Sequence, residues 1–134
     1  MQHMIFVNLP VQDLAVAREF YGALGFGLHE HFSDEHRAAI VVDDSIVVML
    51  HDRELFADLV AGQIGDPARA TTVVHSLTVS SRQEVNELVH KALGAGGGSW
   101  LPTGGDDSRY QGSFTDPDGH AWEVVMLGQE HVIN

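Results

Sequence analysis

Asn8-Leu9-Pro10-Val11-Gln12-Asp13 leads into a helical stretch that closes on Ala23-Leu24-Gly25. It returns as Ser76-Leu77-Thr78-Val79-Ser80-Ser81, followed by a second helical stretch that closes on Ala92-Leu93-Gly94. Leu9 to Leu77 and Asp13 to Ser81 are both shifts of 68 residues (77 − 9 and 81 − 13), and one residue of slippage makes the later shift 69. A supersecondary unit repeated at a fixed period sets the architecture before any local motif does. The pattern predicts two similar halves sharing a concavity.

Within the first half, Ile5 to Val11 reads as a strand, and Asp13 is a good N-cap for the helix that follows. Leu14, Ala17, Tyr21 and Leu24 fall at helical spacing, Phe20 widens the stripe, and Gly25 supplies the left-handed stop. Phe20 and Tyr21 are therefore core. Strands are predicted at Gly27 to Phe32, Ala38 to Val42 and Ile46 to His51, with Asp43-Asp44-Ser45 turning the last pair. The second half begins at about Thr72 to Val79. Ser81 and Glu84 form a capping-box pattern ahead of Val85, Leu88, Val89, Ala92 and Leu93. A short strand is predicted at Ser99 to Thr103 and a flexible loop at Gly104 to Asp107. Strands at Gln111 to Thr115 and Ala121 to Leu127 are joined by Asp116-Pro117-Asp118-Gly119. Between the halves, Asp52 caps a short helix carrying Leu55, Phe56, Leu59 and Val60, and Gly62 to Ala70 reads as linker. The result is a single α+β domain of two βαβββ modules, about 4–52 and 71–127, with a connector at 53–70, forming a curved mixed sheet around a cleft.

Composition narrows the chemistry. The 134 residues contain no cysteine, which excludes disulfides, thiolate metal sites and cysteine nucleophiles. Seven basic against nineteen acidic residues give a net charge of −12, which opposes nucleic acid and anionic lipid and favours neutral or cationic partners. The apolar stretch Met4 to Val7 is too short for a signal peptide or a membrane span, so a cytoplasmic protein with no membrane partner is expected.

Asn8-Leu9-Pro10-Val11 with Asp13-Leu14, Phe20-Tyr21 with Leu24-Gly25-Phe26, and Asp116-Pro117-Asp118-Gly119-His120 with Trp122-Glu123 resemble the vicinal oxygen chelate superfamily. That superfamily includes glyoxalase I, bleomycin-resistance proteins, fosfomycin-resistance enzymes and extradiol dioxygenases. The similarity runs from about Ile5 to Leu127, and the branch most like it is that of predicted lactoylglutathione lyase-like proteins. It implies the two-module cleft and a homodimer. It also implies, for metal-dependent members, ligands drawn from the first and last strands of each module. Those places fall here on Phe6, Val74, Met49 and Glu123. Phenyl, isopropyl and thioether groups are poor partners for the ions concerned, so no metal or other cofactor is expected; a divalent metal held by Glu123 with His51 or His75 is the alternative. Strand alternation puts His75 on the helix-covered face with Leu77 and Val79, and Val74, Ser76 and Thr78 on the cleft face.

Phe6, Asn8, Met49, His51, Ser76, Thr78, Tyr110, Phe114 and Glu123 are the expected ligand-binding residues, with Glu123 the candidate catalytic group. His51 reads as an exposed strand-end histidine reaching the cleft mouth. His29 and His31 read as sharing a strand face within a solvated edge that also carries His36, Glu30 and Glu35. Arg37, Arg69 and Arg109 read as loop residues available to an anionic adduct, alongside a single lysine, Lys91. Three functions are open: metal-independent binding of a small molecule, metal-dependent lyase, isomerase or dioxygenase chemistry, and metal-free acid/base chemistry by Glu123 with His51 or Tyr110. Whether the chain is an enzyme is left open.

Overall fold

The computed structural model describes residues 2–128 and divides the chain into two compact units, one up to Gly65 and one from Asp66 on. In the first unit β1 (Ile5–Val11) runs into α1 (Leu14–Ala23). The Asp13 carboxylate caps this helix by accepting from Val16 N at 3.2 Å. Gly25, at φ +98°, ends it in the left-handed conformation the sequence requires there. Strands β2 (Gly27–Leu28), β3 (Arg37–Asp43) and β4 (Ile46–Asp52) complete a sheet of order β1-β4-β3-β2, in which β1 and β4 are parallel. Helix α2 (Arg53–Leu59) follows at once, capped by Asp52, which accepts from Leu55 N at 2.9 Å.

The expected strand Gly27 to Phe32 is cut to two residues. After His29 N donates to Ala39 O, the chain turns into a 3-10 segment at Glu30–Phe32. Ser33 Oγ donates to His29 O and accepts from Ala39 N, and Asp34 accepts from the backbone of His36 and Arg37. Short polar side chains thus take over the bonds a strand would have made. His29 and His31 consequently do not lie on one strand face.

The second unit repeats the order: β5 (Val74–Val79), α3 (Arg82–Gly94), β6 (Gly98–Ser99), β7 (Gly104–Gly105), β8 (Arg109–Thr115) and β9 (Ala121–Leu127). Ser81 accepts from Glu84 N, as the capping pattern implies. The sheet order is β5-β9-β8-β6, β7 also pairs with β8, and β5 is parallel to β9. The strand expected at Ser99 to Thr103 is instead two short pieces, and the loop expected at Gly104 supplies the second of them.

Two faces of each sheet decide where chemistry can sit. In the first unit Ile40 lies beside α1, with Leu9, Val11, Val48 and Leu50 buried in that core. In the second unit a Cβ on Gly112 would meet Val85 and Val89 of α3, so Gly112 and its cross-strand partner Val124 face that helix. Residues one step away along each strand face the other side.

Candidate functional site

Strand register puts the expected residues in rows. Asn8 stands beside Met49 and then Ala39 in the first unit, and Ser76 beside Glu123 and then Ser113 in the second. Met49 and Glu123 are therefore equivalent places in the two repeats. Phe6 and Val74 lie one row along, on the same faces.

Glu123 is partly buried, and its carboxylate is partnered. Ser76 Oγ donates to Oε1 at 3.0 Å and Arg109 Nη2 donates to the same oxygen at 3.3 Å. Both bonds fall on Oε1, so among the described residues Oε2 stays open to a donor. Arg109 is not in a loop: it is the first residue of β8, on the face of Gln111 and Ser113. It also lines a hollow of 510 Å³ with Pro102, Thr103, Asp106, Ser108 and Gln111. Thr78 lies one row beyond Ser76, beside Val125 and then Gln111.

Tyr110 and Phe114 lie on the opposite face from Glu123, contrary to the expectation that they bind ligand together with it. Phe114 is cross-strand partner of Trp122, and its ring stands edge-on at 6.4 Å. Tyr110 OH donates to Asn86 Oδ1 on α3 at 2.8 Å, under the guanidinium of Arg82. Tyr110 therefore forms no acid/base pair with Glu123. The alternation Arg109, Gln111, Ser113 against Tyr110, Gly112, Phe114 carried this signal: the apolar set belongs with Trp122 and Val124.

His75 shares the α3 face with Trp122, ring centroids 5.0 Å apart, and stands away from Glu123. Burial, then the neighbouring His120, hold it below the usual histidine value.

His51 is not an exposed strand end; it is only 3% exposed. Its Nε2 lies 2.8 Å from Asn8 Oδ1, its ring 6.0 Å from that of Phe56 on α2, and Nδ1 has no hydrogen-bond partner among the described residues. Burial, then the charge of Arg37, lower its pKa. Arg37 likewise begins a strand rather than occupying a loop, directly opposite His51.

The side chains at Phe6, Val74, Met49 and Glu123, the places where the resemblance would put metal ligands, do not suit a divalent ion: a phenyl, an isopropyl, a thioether and one carboxylate already engaged by Arg109. Among the described residues no group of three or more His, Asp or Glu is arranged to hold a metal. None of the described helices is long and apolar enough to cross a membrane.

Comparison with known proteins agrees with this architecture. Residues 3–44 match the family of bleomycin resistance protein-like N-terminal domains. A hypothetical protein of S. aureus is 28% identical, with 95% of each chain covered and a TM-score of 0.80. A glyoxalase-related enzyme of Fulvimarina pelagi is 22% identical, covering 94% of this chain and 88% of the other, with a TM-score of 0.77. The fosfomycin resistance protein FosX of Listeria monocytogenes is 15% identical, with 97% of each covered and a TM-score of 0.68. No sequence among curated proteins matches. The fold is the α+β architecture of paired βαβββ units. It is the vicinal oxygen chelate fold seen in the glyoxalase-related and fosfomycin resistance structures, and the match to the bleomycin resistance protein-like family is confined to residues 3–44.

Proposed function

We propose that the chain binds a small neutral or cationic molecule at the face carrying Glu123, without a metal ion. The observation that carries this reading is the half-satisfied carboxylate: Arg109 and Ser76 hold Oε1, while among the described residues no donor is bonded to Oε2, and Arg109 is shared with the adjoining hollow. A ligand N–H or O–H completes the carboxylate's hydrogen bonding, and a partly buried acceptor gains most from such a donor. Because Arg109 already offsets part of the charge, a neutral donor fits here as well as a cation. In the second unit Thr78 stands beside Ser76 on that face; in the first unit, taken by itself, Phe6, Asn8, Met49 and His51 lie on the equivalent face of its own sheet and are proposed to meet ligand there. Elemental analysis of protein purified without affinity resin is expected to find no stoichiometric divalent ion. A thermal-shift screen is expected to show stabilisation by cationic antibiotics, reduced about tenfold in apparent affinity by Glu123→Gln. A tightly held ion that resists chelator, or stabilisation by anionic glutathione adducts alone, would overturn the reading in favour of glyoxalase-type chemistry.

The same proposal includes a homodimer. Its support is the exposed apolar surface on the strand that opens each repeat and the residues just before it: Ile5 at 58%, Phe6 at 47%, Val73 at 58% and Val74 at 41%. Both β1 and β5 stand at the end of their own sheet's strand order.

A further inference from the structure

Arg37 and His51 form a cross-strand pair on the face of the first sheet that points away from α1. His51 Nδ1 and Arg37 Nε are the buried side-chain atoms without a hydrogen-bond partner among the described residues. The nearest carboxylate oxygen to Arg37 Nε, Asp34 Oδ2, is 4.0 Å away, beyond a hydrogen bond. The orientation of the Asn8 amide assigns the proton to one histidine nitrogen. Its Nδ2 donates to Phe6 O, which turns Oδ1 toward His51, so Nε2 is the donor and Nδ1 of the neutral ring is a bare lone pair. Two neighbouring strands thus present one unmet donor and one unmet acceptor, each of which costs stability while it stays unpaired.

We propose that Arg37 and His51 form a recognition point for a hydroxyl group of a neutral ligand, the oxygen accepting from Arg37 Nε–H while the hydroxyl hydrogen goes to His51 Nδ1. Other ligand chemistries satisfy only half of the pair. A carboxylate accepts from Arg37 but has no hydrogen for Nδ1, and an ammonium donates to Nδ1 but is repelled by the guanidinium. Phe56 stands beside the histidine ring and Met49 lies two residues along the same strand face, so an aromatic alcohol has apolar surface to pack on beside the pair where a polyol has none to use. This deepens the ligand-binding reading above, and rests on it only in assuming that this face meets ligand.

Phenol and toluene, equal in shape and different in the hydroxyl, are the probes. Titration of histidine-labelled wild-type protein, followed by NMR of the imidazole nitrogens, is expected to move the His51 Nδ1 signal with phenol and not with toluene. Phenol should bind about tenfold more tightly. His51→Leu and Arg37→Met should each erase the preference, whereas His51→Gln, which keeps a carbonyl acceptor, should retain part of it. Equal affinity for the two probes, or an Nδ1 signal that already reports a proton in the free protein, overturns the proposal. Phenol shifts confined to the Glu123 region overturn it while leaving ligand binding intact, as does an unmoved Nδ1 that reports an internal water only. Since the wild-type titration decides alone, a variant that fails to fold leaves the outcome readable.

Discussion

At the scale of single residues, the histidines pull stability in opposite directions with pH. His36 Nδ1 lies 2.8 Å from Asp52 Oδ2, and that hydrogen bond raises the histidine pKa above its ordinary 6.5. Its contribution is fully present below 6.5 and is lost as pH rises through the raised value. Asp52 is lowered below 3.8, chiefly by the Leu55 N–H it caps and then by His36, so its contribution is present above 3.8 and lost as pH falls through the lowered value. His51 and His75 are lowered by burial; the unfolded chain protonates them first, so they destabilise as pH falls below 6.5. Thermal melts from about pH 5 to about pH 8 should show wild type more stable than His36→Gln on the acid side, the gap closing as pH rises. A gap that widens with pH would refute the pairing. Glu123 was legible at this scale because Trp122-Glu123 closes a recognisable motif. Its partner Arg109 was not, because fourteen residues separate them and only the β8–β9 register brings them together.

At the scale of elements, close packing decides what each glycine tolerates. A Cβ on Gly112 would stand 2.7 Å from Val89 Cγ2 and 3.2 Å from Val85 Cγ1, so Gly112→Ala must push α3 off its sheet. The expected cost is about 1–3 kcal/mol, read from chemical denaturation. Gly22, inside α1, has open space where its Cβ would go, and Gly22→Ala should stabilise by up to about 1 kcal/mol. If both substitutions proved neutral, the helix-to-sheet contact would be misassigned. The helices were legible in advance because caps and apolar spacing are local signals: Asp13, Ser81 and Asp52 each do the capping their types suggest. Strand Gly27 to Phe32 was not, since Ser33 and Asp34 compete for the backbone only once β3 is beside them.

At the scale of the whole molecule, the acidic balance and the exposed apolar positions on β1 and β5 bear on partners. Light scattering at micromolar protein should give about twice the chain mass of 14.6 kDa. Charged substitutions at Ile5 and Val74 should return it toward that single-chain mass, and an unchanged monomer in the wild type would remove the dimer. The duplicated pattern, read from the sequence alone, determined the repeated βαβββ order and the helix caps, because each depends on spacing along the chain; the equivalence of Met49 with Glu123, separated by a different shift, needed strand register. Only the tertiary structure decided that Tyr110 and Phe114 pack on α3, that Arg109 holds one oxygen of Glu123, and that His51 is buried against Asn8. Those are matters of which face a strand turns and which strand lies next to it, and cross-strand register is set by neighbours distant in sequence.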